Sequence, residues 1–173
     1  MPIKNTHRSG VGILELMIAL SIGAIVATMV ITASIQSLQH LRLIGRYRAV
    51  QSDAVYIADT FAYWVKQAEL LSAGGNTVEL RVYIDHDNDD ITPTVLGKKV
   101  FVFDSGAKTL SLKTYDVAGL LLDDSVLNSN TVKIGSASFT LFARSVRASF
   151  TLDAIEGDET MSITTTVAQR NHP

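Results

Sequence analysis

Apolar residues run almost without interruption over residues 11–35, and Glu15 is the one charged side chain among them. In a helix, a run of about 25 residues is long enough to cross the hydrocarbon core of a bilayer, which takes roughly 20. An ionised carboxylate near the start of such a span costs ~1–3 kcal/mol and usually has a functional reason. The pattern therefore predicts a transmembrane helix over 11–35 and singles out Glu15.

Three interpretations of Glu15 are open. In a cleavable signal peptide, Ala33 would be the small residue before the cut, but the apolar run is long and contains an acid. A plain membrane anchor explains the length and leaves the acid unexplained. A cut after Gly10 would make Val11 a new N-terminus, with Glu15 one helical turn away. The α-amino group of a neighbouring subunit could then pair with that carboxylate in a low-dielectric fibre core.

The third arrangement resembles the prepilin leader of type IV pilins and type II secretion pseudopilins. The leader is short and basic, a glycine precedes the cut, and a glutamate stands at mature position five. The matching residues are Lys4, Arg8, Gly10, Val11 and Glu15. Val11 replaces the usual aromatic residue, and Gly12 the usual threonine. The resemblance implies that a prepilin peptidase removes residues 1–10 as a leader peptide by cutting between Gly10 and Val11, and then methylates the Val11 amine.

The same resemblance implies a location and a set of partners. The chain would be a single-pass protein of the inner (cytoplasmic) membrane, with its C-terminal head exported to the periplasm or cell surface. Its partners would be other pilin or pseudopilin subunits, the prepilin peptidase, the inner-membrane assembly platform and, before assembly, membrane lipid. No nucleic acid is expected. Secretion pseudopili, twitching pili and DNA-uptake pili share these features.

Beyond residue 35, apolar residues recur every three or four positions, which is typical of one face of an amphipathic helix. The pattern predicts that the helix continues as an amphipathic segment over 36–74. No proline or turn cluster interrupts the chain before residues 72–76, where Gly74 and Gly75 offer a C-cap. The stripe comprises Val50, Ala54, Ile57, Phe61, Val65, Ala68 and Leu71.

From residue 76 to residue 173 the pattern changes to period two, which predicts a head of about six antiparallel strands joined by short polar turns. The segments are 78–84, 98–104, 109–116, 137–144, 146–153 and 161–170, with turns at 105–108 and 156–159. The predicted fold class is α+β and pilin-like. One long N-terminal α-helix, transmembrane in its first half, would pack on an antiparallel β-sheet head.

The order of elements resembles one branch of that family, the minor pseudopilins of J type and the minor pilins of W type. Three passages carry this second resemblance: VYIDHDNDDITPTVLGKKVFVFD (82–104), TLSLKTYD (109–116) and TTTVAQRN (164–171). It implies a minor subunit that acts at the fibre tip or in initiation.

An acidic loop lies between the first two predicted strands. Asp85, Asp87 and Asp89 alternate like the first ligands of an EF-hand, and closely spaced carboxylates suit calcium. However, Asp90 stands where the turn glycine would be, and Leu96 replaces the bidentate glutamate. A solvated hairpin loop is the favoured interpretation, and a calcium site at these three residues is the alternative. No other cofactor is expected.

Composition narrows the function. The chain has no cysteine, which excludes disulfides, thiolate catalysis and cysteine-ligated metals. A net charge of −2 gives no basic footprint for nucleic acid. The four histidines show no spacing that suggests a base beside a nucleophile, so no enzyme is predicted.

The favoured function is a minor pilin or pseudopilin, a structural subunit that assembles into or initiates a type IV pilus or type II secretion pseudopilus. One alternative is a membrane-anchored exported binding module, either a pilus-tip adhesin or a DNA-uptake subunit. A membrane-anchored enzyme is the third hypothesis.

Overall fold

The computed structural model describes residues 12–84, 94–143 and 145–168. The chain divides into two units between Ile44 and Gly45, and the first helix begins in one unit and ends in the other. In chain order the elements are α1 (Ile13–Gln67), β1 (Ala68–Gly74), β2 (Thr77–Ile84), β3 (Thr94–Asp104), β4 (Thr109–Tyr115), β5 (Leu121–Val126), β6 (Val132–Phe142), β7 (Ser145–Ala154) and β8 (Thr160–Ala168).

The second half of α1 buries one face and exposes the other. Its buried side chains recur at three- and four-residue intervals, as the sequence pattern predicts for one face of a helix. They are Val50, Ala54, Ile57, Phe61 and Val65. Tyr56 and Tyr63 lie on the opposite, exposed face. The helix is therefore held in the head by tertiary packing of a single apolar stripe.

Two antiparallel sheets form the rest of the head. Strands β1 to β5 make one sheet in chain order, and β6 to β8 make the other. Backbone hydrogen bonds join the sheets, from the amide of Phe139 to the carbonyl of Gly75 (3.1 Å) and from Ile134 to Lys108 (2.9 Å). The predicted α+β class, with one long helix packed on antiparallel strands, is confirmed. The prediction of a single head sheet with about six strands is wrong, because the described residues form eight strands in two sheets.

Phe61 lies at the centre of the core, where α1 meets both sheets. Its ring centroid is 5.3 Å from that of Phe101 on β3, 5.8 Å from Phe139 on β6 and 6.3 Å from Phe150 on β7. Phe61, Phe101 and Phe150 are almost completely buried. One helical side chain thus links the helix to both sheets, through offset and edge-to-face ring contacts that add to area burial.

The helix ends earlier than its sequence pattern predicts. The prediction of helix over 36–74 is wrong at its C-terminal end, because residues 68–74 form β1 and pair with β2. The segment AELLSAG fits either element, and the backbone hydrogen bonds of a hairpin decide between them. Gly74 pairs with Thr77, so Gly75 and Asn76 form a two-residue turn. Gly75 has φ +56°, and it serves this turn rather than a helix C-cap.

The six predicted strands are present, although β3 and β6 begin four and five residues earlier than predicted, and β5, like β1, was not predicted. Both predicted turns are confirmed, since β3 and β4 flank residues 105–108 and β7 and β8 flank residues 155–159. In the first turn, Asp104 accepts hydrogen bonds from the amides of Ala107 and Gly106, and these bonds lower the pKa of its carboxyl group. β5 was not predicted, because its sequence LLDDSV has neither a clean alternation nor a β-branched majority.

We expect Phe61→Ala to lower the free energy of unfolding by about 3–5 kcal/mol, because it leaves a cavity where three other rings meet. The full-length protein in detergent can be unfolded with denaturant while Trp64 fluorescence is followed. Val55→Ala is the matched control, since Val55 is exposed on the same helix and its truncation should change stability by less than about 0.5 kcal/mol. Equal losses in the two variants would contradict the central position of Phe61.

Candidate functional site

Glu15 lies in the first turn of α1, and its side chain is exposed. The amides of Glu15 and Leu16 donate to the carbonyl of Gly12 at 2.9 and 3.1 Å, so the turn is formed at this point. The N-terminal amides of a helix carry a partial positive charge, which stabilises a carboxylate there by about 0.3–1 kcal/mol. That is less than the few kcal/mol that an ionised acid costs within a bilayer. The helix terminus alone therefore does not explain the acid.

Most hydroxyl groups farther along this half of the helix are satisfied within it. Four of them donate to backbone carbonyls three or four residues earlier, each at 2.8 Å: Ser21 to Met17, Thr28 to Ile25, Thr32 to Thr28 and Ser34 to Val30. Such bonds let hydroxyls enter an apolar environment at little cost. Over the described residues, no hydrogen bond or ion pair reaches the Glu15 carboxylate. The described residues therefore supply no partner for this carboxylate.

The surface around Glu15 is apolar on every side of the helix. All side chains described from Gly12 to Ile44 are exposed, including Leu14, Met17 and Ile18. Within the described ranges, α1 is the one helix that is long and apolar enough to cross a membrane. Its residues 13–35 span about 35 Å at 1.5 Å per residue, against roughly 30 Å of hydrocarbon. An exposed apolar surface of this size requires lipid or other helices around it.

The head contains a second acid in apolar surroundings, and this one has a partner in the same chain. Glu159, in the turn between β7 and β8, is 7% exposed and is the one buried charged side chain among the described residues. Its Oε1 lies 3.6 Å from Nη1 of Arg46 on α1. Its Oε2 is buried without a hydrogen-bond partner in the described structure. The pair joins the β7–β8 hairpin to the segment of α1 that follows Gly45.

Gly157 makes room for this ion pair. Its φ is +145°, a conformation that side-chain-bearing residues rarely adopt. A Cβ at this position would overlap the Glu159 carboxylate and crowd the Arg46 guanidinium. The sequence indicates a turn at 156–159, but nothing in the letters EGDE distinguishes the buried acid from its exposed neighbours. The partner of Arg46 within its own chain was not predicted from the sequence.

The remaining predicted site residues lie outside the described part of the chain. Gly10 and Val11 precede it, and Asp85, Asp87 and Asp89 fall in the interval between β2 and β3. Cleavage, methylation and calcium binding at these residues therefore stay predictions. Of the predicted site, the described residues contain Glu15 alone, and they hold no cluster of three or more potential metal ligands.

One long N-terminal helix on antiparallel sheets, with an apolar and exposed first half, defines a pilin-like α+β protein. Residues 5–31 match the family model of the prokaryotic N-terminal methylation motif. The chain thus carries a prepilin-type N-terminal methylation motif, and its fold is similar to that of pilins. No curated protein and no solved structure matches it.

We expect Arg46→Ala to lower the free energy of unfolding by about 1–3 kcal/mol, because it leaves the buried Glu159 carboxylate without its cation. Arg48→Ala is the matched control: Arg48 is exposed two residues farther along α1, and its removal should cost less than about 0.5 kcal/mol. Denaturant unfolding of the full chain in detergent measures both. Similar losses in the two variants would show that the ion pair does not hold the hairpin.

Proposed function

We propose that this protein is a minor subunit of a type IV pilus or type II secretion pseudopilus, which it enters by packing the first half of α1 against the same helices of its neighbours. The observation that carries the proposal is Glu15, the one ionisable residue from Gly12 to Gln39 in a helical surface that is mostly apolar and otherwise uncharged. The methylation-motif match over residues 5–31 supports the same role. The role is structural, so no catalytic residues are assigned.

Proteolytic processing would create the cationic partner that the Glu15 carboxylate lacks. In this proposal a prepilin peptidase cuts between Gly10 and Val11, and the new amine is protonated near pH 7. Methylation of that amine leaves its positive charge in place. Two unit charges at about 4 Å interact by ~4 kcal/mol at an effective dielectric constant of 20. This is comparable to the cost of holding one carboxylate in an apolar environment.

The pairing is assigned between subunits. Within one chain, Val11 precedes Glu15 by four residues in the sequence, whereas the Val11 of an adjacent subunit can approach the carboxylate from the side. Such a contact fixes the axial offset between two helices, since the charges meet at one stagger only. The apolar side chains around Glu15 then exchange lipid contacts for contacts with other helices. Because lipid tails are as apolar as these side chains, this exchange depends little on how the helices are aligned. The charge pair therefore sets the register, and the apolar surface supplies the packing.

The proposal places the protein before and after assembly. Before assembly the apolar half of α1 would lie in the inner membrane, with the head exported, and the assembly platform would then transfer the subunit into the fibre. The narrower assignment, to minor subunits of J or W type at a fibre tip, depends on the sequence resemblance of the head alone.

The first prediction of this proposal concerns the mature N-terminus. We expect the protein isolated from cells that contain a prepilin peptidase to begin at Val11 and to carry one methyl group on its amine. Intact-mass and peptide mass spectrometry measure both. A chain that begins at Met1 would support a simple anchor, and one that begins near Ser34 would support ordinary secretion.

The second prediction concerns Glu15. We expect Glu15→Ala to reduce incorporation into fibres about tenfold or more, because a lost pair of only 1.4 kcal/mol already changes an equilibrium tenfold. Processing at Val11 and unfolding of the head should stay unchanged, since Glu15 has an exposed side chain and belongs to a different unit from the head. Ser21→Ala is the control, as it removes a polar group that is satisfied within the helix. Sheared fibres and membranes are compared by immunoblot, and normal incorporation of Glu15→Ala would overturn the pairing.

A further inference from the structure

Residues 116–126, named here the β5 edge, form the most apolar exposed segment of the head. They read DVAGLLLDDSV and comprise the turn after β4 together with β5. Val117 is 70% exposed, Leu120 66% and Leu122 61%. Every residue of β5 is exposed. Consecutive exposed apolar residues in a folded domain have a cost in solubility, so they indicate a surface that is covered in use.

The β5 edge is also open along its backbone. β5 is the last strand of the five-stranded sheet, and it pairs with β4 on one side only. Among the described residues no strand pairs with its other side, whose amide and carbonyl groups can accept a further strand. Proteins usually block such an edge with lysine or proline. The β5 edge has neither, whereas the edge strand β6 of the other sheet carries Lys133.

Charge shows what kind of strand fits. The β5 edge contains Asp116, Asp123 and Asp124 and no basic residue. Asp124 pairs with Lys113 of the same sheet at 3.2 Å. The hydrogen bonds described for the other two come from neutral groups: Asp116 accepts from the Leu120 amide, and Asp123 from the Ser125 hydroxyl, both at 2.7 Å. Asp123 also interacts electrostatically with Lys99 on β3. Three carboxylates face two lysines of the same sheet, so the apolar surface keeps an excess of negative charge at its rim.

This rim disfavours several occupants. Two copies joined through the same edge would bring two sets of three carboxylates together, and like charges on paired strands are destabilising. Anionic lipid headgroups and the acidic residues 85–90 of this chain are repelled in the same way. The other edge strands offer no matching charge: β1 carries Glu69, β6 carries Lys133 alone, and β8 has no charged residue.

We propose that the β5 edge accepts a strand from a different subunit of the same assembly, an extended segment that alternates apolar residues with lysine or arginine. Its backbone would continue the five-stranded sheet beyond β5, its apolar residues would cover Leu120 and Leu122, and its cations would face Asp116 and Asp123. The inference rests on the proposed function, because assembly is what brings the heads of different subunits together. The site would make this chain selective for one neighbour.

The test is cross-linking of the full chain in cells that assemble the fibre. A photoreactive residue is introduced as Leu122→p-benzoylphenylalanine, and the cross-linked peptides are identified by mass spectrometry. Leu141→p-benzoylphenylalanine is the matched control, since Leu141 is an exposed leucine on the edge strand β6, away from the carboxylates. We expect position 122, and not position 141, to join a peptide from a different pilin-like subunit with a net positive charge.

A second set of variants tests the charge requirement. In the position-122 background, Asp123→Lys should lower the cross-linking yield about tenfold or more, because it places a cation opposite cations. Asp158→Lys, a charge reversal in the exposed β7–β8 turn, should leave the yield unchanged. Denaturant unfolding establishes that both variants remain folded. Cross-links from position 122 to lipid, to a second copy or within the chain would overturn the proposal, as would an unchanged yield with Asp123→Lys.

The mature N-terminus and fibre content are measured in the same cells, which separates the two proposals. A chain that begins at Val11 and enters fibres, yet gives no cross-link from position 122, refutes the β5 edge and leaves the assembly role intact. A chain that keeps residues 1–10 refutes the assembly role. A cross-link to a basic strand of another protein would then still support strand addition at the β5 edge.

Discussion

The helix α1 must be stable in two different environments, and the rest of the structure depends on how its apolar residues are distributed. Up to Ile44 the side chains of α1 are exposed and mostly apolar all round, so this half requires lipid or other helices. From Val50 onwards one stripe is apolar, and the two sheets of the head cover it. The change occurs close to Gly45, where the chain divides into its two units. Membrane insertion and folding of the head therefore depend on different parts of α1.

Sequence patterns predict those parts of the fold in which one residue type recurs at a fixed spacing. The stripe from Val50 to Val65 follows a helical period, and it is buried where the period predicts. The end of the helix does not follow from the pattern, because residues 68–74 suit a helix or a strand and only pairing with β2 decides. β5 was missed for a related reason: its position is fixed by β4, and its own sequence carries little β preference.

The candidate site shows the same limit. Glu15 is recognisable from sequence, since one acid in a long apolar run has no ordinary structural explanation. Glu159 is not recognisable, because an acid within a polar turn resembles any solvated residue until Arg46 and Gly157 enclose it. The two carboxylates differ in where a cationic partner could come from. Glu159 receives its cation from the same chain, which ties a hairpin to the helix. Glu15 finds none among the described residues, and in the proposed assembly a second subunit would supply it.

An amine–carboxylate pair near the start of a helix sets axial register but cannot select a particular neighbour. Any subunit with the same N-terminal motif would offer the same amine, and a lipid-like helix surface packs with many partners. Selection must therefore come from the heads, where sequences can differ. The β5 edge has the properties that this requires. Its unpaired backbone provides affinity for any strand, while its three aspartates discriminate between a basic strand and an acidic one. If the helix charge pair sets the axial register and the heads select the neighbouring subunit, subunits with a common N-terminal motif can occupy distinct positions in one fibre.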